Sequence, residues 1–214
     1  MVHNRTIFFH PPEFFPPLDF FFGLLNSDLW VVLDHVMFTS RSRQSRCRIK
    51  THDGIEQLAV GVKRPQNKPV YCTVIDCSQN WKHIFLKNIK EYYKNTFFFG
   101  EYYPDMINLI ESPAVLLETL TLESTVWIGQ LLGKKVEHFR TSELDTARRG
   151  RYTKKYPIAK VIPMILQKYN ATLFNTPFKH PYYPQQGGPF EKDLSILDAL
   201  FCVGADNLKL LLEA

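Results

Sequence analysis

The residues best able to do chemistry lie near the start of the chain, where the apolar run 6–9 leads into His10-Pro11-Pro12-Glu13. Imidazole exchanges a proton near neutral pH, so His10 suits a general base, with Glu13 as its orienting partner or as an acid. The alternatives are a histidine that merely caps a strand and a carboxylate on an exposed turn. Two prolines stop the run at His10, because the residue before proline avoids the helical region. A second apolar run, 29–33, ends at Asp34 and His35. Neighbours on an extended chain point to opposite sides, so Asp34 is expected in the site and His35 away from it. Reading the two as a metal-binding couple is the alternative.

A basic segment follows. Residues 41–50 carry Arg41, Arg43, Arg46, Arg48 and Lys50, and in an extended strand Arg46, Arg48 and Lys50 share one face while Cys47 and Ile49 share the other. With Arg41 this face fits a diphosphate, since guanidinium groups hold phosphate oxygens in a bidentate fork. A solvated edge strand protected by its charges is the competing reading. Near the end, His180, Tyr183 and Gln185 sit on a Pro/Gly-rich segment that belongs to no regular element, which suits a pocket lining or lid. Asp198 follows on an apolar helix, where capping a neighbouring loop is its commoner fate.

The elements that must position these groups alternate. Strand 6–9, helix 18–25 and strand 29–33 form a βαβ unit, so the fold expected is a single α/β domain with a mainly parallel, Rossmann-like sheet flanked by helices. Sites in such sheets lie beyond the carboxyl ends of the strands, which places His10, Glu13, Asp34 and His35 along one rim. Further strands are expected at 56–62, 70–75, 136–139 and 172–174. A helix over 81–93 shows the stripe Trp81, Phe85, Ile89 and Tyr92, with His83 on the opposite, lysine-rich face. Another is expected to start at Ser112 as N-cap with Pro113 first inside and to stop at Gly133. The stretch 148–160, rich in Arg, Lys and Tyr, reads as a mobile basic loop, and a helix including 195–201 closes the chain.

Bulk properties narrow the classes. A chain of 214 residues with net charge +5 has the length of one domain, and that charge is too small to demand a nucleic-acid partner. Its four cysteines form no C-x-x-C pair, so reduced thiols in a cytoplasmic protein are expected, with no metal and no cofactor. No apolar run reaches the ~18–20 residues of a membrane span, so no membrane insertion is expected. Clustered aromatics such as Phe97-Phe98-Phe99 point to a pocket or to self-association as a homo-oligomer.

Four stretches together resemble the WbqC-like protein family of bacterial surface-polysaccharide and O-antigen gene clusters. They are His10-x-Pro12-x-x-x-Pro16 with the Phe-rich helix and Gly23; Asp34 to Phe38 with Arg41 and 46–50; Trp81 and His83 before a helix ending in Tyr; and His180-Pro181-x-Tyr183-x-Gln185 with Phe190 and 194–198. The sequence departs from the family at His35, where a second Asp is frequent, and in a short segment before His180.

The resemblance implies a transferase that acylates or aminoacylates the amine of a nucleotide-linked amino sugar. Its partners would be that nucleotide sugar and an acyl or aminoacyl donor, with tRNA a possible donor carrier. It adds Trp81 and His83 to the substrate-binding residues. Two other readings compete. One is a nucleotidyltransferase, although the loop holds one His among several prolines. The other is a non-catalytic module that grips nucleic acid or a partner through the basic face and the 148–160 stretch.

Overall fold

The computed structural model describes residues 5–63, 68–145 and 158–213. Four strands, β1 (Arg5–His10), β2 (Leu29–Val32), β5 (His138–Arg140) and β6 (Ala171–Leu173), form a parallel sheet in the order β5-β2-β1-β6. Side-chain alternation along residues 29–33 decides what covers each face. Leu29, Val31 and Leu33 join Ile7 against Val161 and Ile165 of α5 (Ile158–Tyr169). Trp30 and Val32 point the other way, into the main core. That core gathers side chains from α1 (Leu18–Leu25), α2 (Trp81–Tyr93), α3 (Phe99–Glu111), α4 (Leu117–Leu131) and α6 (Ile196–Glu213). The domain is therefore α/β with a parallel sheet flanked by helices, as expected.

Close approach explains Gly23 in α1, because a Cβ there would lie 2.5 Å from the Phe8 ring. Only hydrogen lets the helix lie on the sheet at that point. From β1 the chain steps to β2 and β5 on one side and returns to place β6 on the other, so its topological switch point lies between β1 and β6. β6 ends at Leu173 opposite Ile7, and β1 runs on to His10 beyond it.

A separate antiparallel hairpin, β3 (Arg46–Thr51) and β4 (Gly54–Ala59), sets Arg48 opposite Gln57. Its second strand begins and ends earlier than the expected 56–62, because the turn closes tightly at Gly54, which has φ +126°. The expected strand at 70–75 is instead a 3-10 turn, Val70–Cys72, followed by single bridges at Val74 and Ile75. Pro69 accepts hydrogen bonds from Cys72 N and Thr73 Oγ1, which curls the segment. Ser112 caps the end of α3 and does not begin a helix. Pro113 holds it extended at ψ 149°, and α4 starts only after Leu116. In α2 the buried stripe is Trp81, Phe85, Ile89 and Tyr93, a plain i, i+4 series, in place of Tyr92. Residues 148–157 of the expected basic loop lie outside the described residues, and 158–160 begin α5. Among the described residues, no helix is long and apolar enough to cross a membrane.

One buried carboxyl ties the layers together. Asp198, in the first turn of α6, is wholly buried and accepts hydrogen bonds from Tyr93 Oη and Tyr183 Oη, each at 2.8 Å. Tyr93 Oη also accepts from Lys50 N at 3.0 Å, joining β3 to the same cluster. Burial raises the Asp198 pKa, while the two tyrosines and the Lys50 charge hold it down. Asp198→Ala would leave two buried hydroxyls without an acceptor and should cost about 3 kcal/mol of stability. Denaturant melts should show that loss, and Asp198→Asn, which keeps one carbonyl acceptor, should lose less.

Candidate functional site

Strand β3 and two irregular loops, 13–16 and 41–45, are stitched together at the amino end of α6. Ser195 N donates to Arg48 O at 2.7 Å, Ser195 Oγ to Phe15 O at 2.9 Å, and Ile196 N to Pro16 O at 3.0 Å. Phe14 N donates to Arg43 O at 2.9 Å and fixes the third edge. These bonds enclose an open pocket of about 490 Å³, whose wall carries Glu13, Arg41, Arg43, Arg46, Arg48, Gln57 and Asp193. Phe15 (φ +43°) and Asp193 (φ +58°), both in the wall, adopt left-handed backbone conformations that side chains disfavour. Strain of this kind persists only where surrounding contacts enforce it, and it gathers at functional sites.

Glu13 is the unusual group. Burial raises its pKa to about 7 against the opposing pull of Arg43, and its Oε2 is buried without a hydrogen-bond partner. A carboxyl poised there can both take up and release a proton at neutral pH. Arg43 reaches Asp19 at 3.7 Å, and both charges also act on His10. The His10 ring stacks on Phe8 and meets Phe20 edge-on. Burial lowers its pKa, so it is held neutral. Its Nδ1 lies 2.9 Å from Pro11 O, a pure acceptor, so Nδ1 carries the proton and Nε2 is the basic nitrogen. His10 stands at the switch-point end of β1 but is not in the wall of the arginine pocket.

Asp34 belongs to a different cluster. It is fully buried and accepts from Thr141 Oγ1 and Ser142 N, both at 2.8 Å, and from Ser142 Oγ. His35 Nδ1 meets Thr141 Oγ1 at 2.6 Å, so the pair does not present itself as a metal couple. Beside Asp34 lies Glu118, 3 % exposed, whose carboxyl is raised to about 8 by burial and by the neighbouring Asp34 charge. Its Oε1 makes no hydrogen bond, and Arg140 Nη1 stands 4.0 Å away. A proton held on Glu118 removes its repulsion from the Asp34 charge.

The remaining expected residues are dispersed. Lys50 shares the strand with Arg46 and Arg48 but is buried, its Nζ donating to Pro189 O at 2.7 Å and Gln185 Oε1 at 3.2 Å. Gln185 in turn pairs with the backbone of Glu191, and Tyr183 with Asp198. These three therefore fasten the Pro/Gly segment down. His180 stacks on Tyr183 within an aromatic cluster that includes Phe178 and Phe190, and its Nδ1 meets Pro181 O at 2.8 Å, the same arrangement as at His10. Trp81 is buried at the start of α2, with its indole nitrogen unpartnered. His83 is exposed on the outer face of that helix.

Two groups escaped the sequence reading. Arg43 lies in the basic run but ahead of the strand, where alternation assigns it no face. Glu118 left no signal, since an acid in the first turn of a helix is the ordinary complement to the helix dipole.

The Glu118 carboxyl makes a pH-dependent contribution. Its folded pKa is raised, so the stability it provides is complete below its ordinary value of 4.5 and is lost as pH climbs through about 8. Glu118→Gln should therefore leave the melting temperature nearly unchanged at pH 5 and raise it at pH 9. A penalty that grows with pH would contradict the assignment.

Comparison with known proteins adds one finding. No curated protein and no solved structure matches the chain. The model of the WbqC-like protein family matches residues 11–174 and 163–210, which takes in the proline loop, the arginine pocket, the Asp34 cluster and the Pro/Gly segment. With most of its length covered, the chain belongs to the WbqC-like protein family.

Proposed function

We propose that the protein transfers an acyl or aminoacyl group to the amine of a nucleotide-linked amino sugar, in the assembly of a bacterial surface polysaccharide. The observation that carries this reading is the joining, in one pocket, of four arginines with a carboxyl of pKa about 7. Arg41, Arg43, Arg46 and Arg48 would hold the diphosphate that links nucleoside to sugar. The amine nitrogen would attack the donor carbonyl carbon, forming a C–N bond as the bond to the donor's carrier breaks. Glu13, ionised, would take the proton released by the nitrogen and pass it to the departing carrier. Glu13 is favoured over His10 as base because it lines the pocket and His10 does not. Asp34 with Glu118, and His180, stand outside that wall and would act on it only through the loops they anchor.

The assay follows from the chemistry. Nucleotide-linked amino sugars mixed with acyl-thioester or aminoacyl donors should give an amide product detectable by mass. A base must be ionised to work, so the rate should rise with pH through about 7. Glu13→Gln should abolish turnover and keep the fold; at pH 8 it should also raise the melting temperature, since it removes a carboxylate whose ionisation in the folded state is unfavourable. Arg48→Ala should weaken nucleotide binding about tenfold, as loss of a charge-assisted contact does. Pyrophosphate release from a nucleoside triphosphate would replace this reading with nucleotidyl transfer. Salt-sensitive RNA binding without turnover would replace it with a binding module.

A further inference from the structure

A second cavity, of about 430 Å³, runs along the outer edge of β4 between residues 56–62 and the first turn of α2. It meets the arginine pocket at two residues, Arg46 and Gln57, which stand in both walls. The hairpin explains the junction. Arg46 and Arg48 rise from one face of β3, and the register places Gln57 opposite Arg48 on the adjoining edge strand. One cavity therefore lies over the hairpin face and the other along its side. Arg46 is held at their border by its Nε bond to Ser40 O at 2.8 Å.

The two compartments differ in chemistry. The first is dominated by guanidinium groups, whereas the charges in the wall of the second are one cation, Arg46, and one acid, Glu56. Its other polar side chains include the amides of Gln57, Gln79 and Asn80, and its apolar surface comes from Leu58, Trp81 and Ile84. Asn80 makes no capping bond to α2, so its amide is uncommitted to the helix. Amides offer donors and acceptors together, and apolar walls fit C–H faces, a combination that matches a neutral hydroxylated ring better than a phosphate. Trp81 supplies a rigid end wall, packed so closely that a Cβ on Gly61 would stand 2.8 Å from its Cδ1.

We propose that this edge groove is the sugar compartment of the same site, taking the uncharged ring while Arg46 and the neighbouring arginines hold the phosphates attached to it. The proposal rests on the phosphate reading of the arginine pocket and extends it to the other end of the substrate. It orients the substrate: the nucleoside lies away from α2, the diphosphate crosses at Arg46, and the ring enters the groove with its amino-bearing edge at the junction, on the side of Glu13.

The test compares uridine and thymidine diphosphates with their amino-sugar conjugates, by calorimetric titration of the full chain. Two variants probe the groove from exposed or partly exposed ground: Ile84→Trp, at a position 54 % exposed, fills it, and Asn80→Ala removes an amide. In the wild type the conjugate should bind about tenfold more tightly than the bare diphosphate, the gain expected from one or two added hydrogen bonds. Both variants should bring that ratio to about one and leave the bare diphosphate's affinity within about twofold. A conjugate advantage untouched by either variant, or no advantage at all while the bare diphosphate still binds, overturns the sugar compartment and spares the arginine pocket. Failure of the wild type to bind any of these nucleotides overturns both.

Discussion

A carboxyl with no contact to water is the constraint on which the architecture turns. Asp198 is buried at the amino end of α6, and the two tyrosyl hydroxyls that satisfy it come from α2 and from the Pro/Gly segment. A buried acid left without donors would cost more than most single contacts contribute, so these three elements must converge on one point. Their convergence brings Ser195, three residues earlier, to the backbone of Arg48 and Phe15. The arginine pocket thus lies between the β3–β4 hairpin and loops with no regular structure of their own, held in place by a helix end that cannot shift without stranding polar groups.

Inside the pocket two electrostatic effects oppose one another. The Arg43 guanidinium favours an ionised Glu13, yet its pKa rises, because the exclusion of water by the surrounding Phe14, Phe15 and prolines matters more than a charge that is itself partly solvated. The same balance governs Glu118, where Asp34 adds repulsion to desolvation and Arg140 compensates only in part. Each carboxyl is therefore poised near neutrality by its surroundings. Proton exchange at the pocket is a property of packing as much as of residue type.

The parallel sheet contributes position without supplying the walls. Its switch point sets His10 at the end of β1, and the loop that leaves it carries Glu13 across to the hairpin. His10 and His180 repeat one local device, a histidine whose Nδ1 is held by the carbonyl of the following proline and whose ring stacks on an aromatic neighbour.

Local structure was already legible in the residue order. Prolines after His10 ended β1, alternation over 29–33 made a strand buried on both faces, and the basic run marked the strand whose arginines face the pocket. Turn chemistry was harder to read, as at Ser112-Pro113, where one dipeptide suits both the end of one helix and the start of another. Tertiary structure alone decided which groups share a cavity. It separated Asp34 from Glu13, withdrew Lys50, Tyr183 and Gln185 into supporting bonds, brought Arg43 into the pocket wall and set Glu118 beside Asp34. The reason is physical: strand ends and turns follow from backbone sterics within a few residues, whereas desolvation and charge pairing depend on contacts such as Glu118 with Asp34 or Ser195 with Phe15, which join positions far apart in the chain.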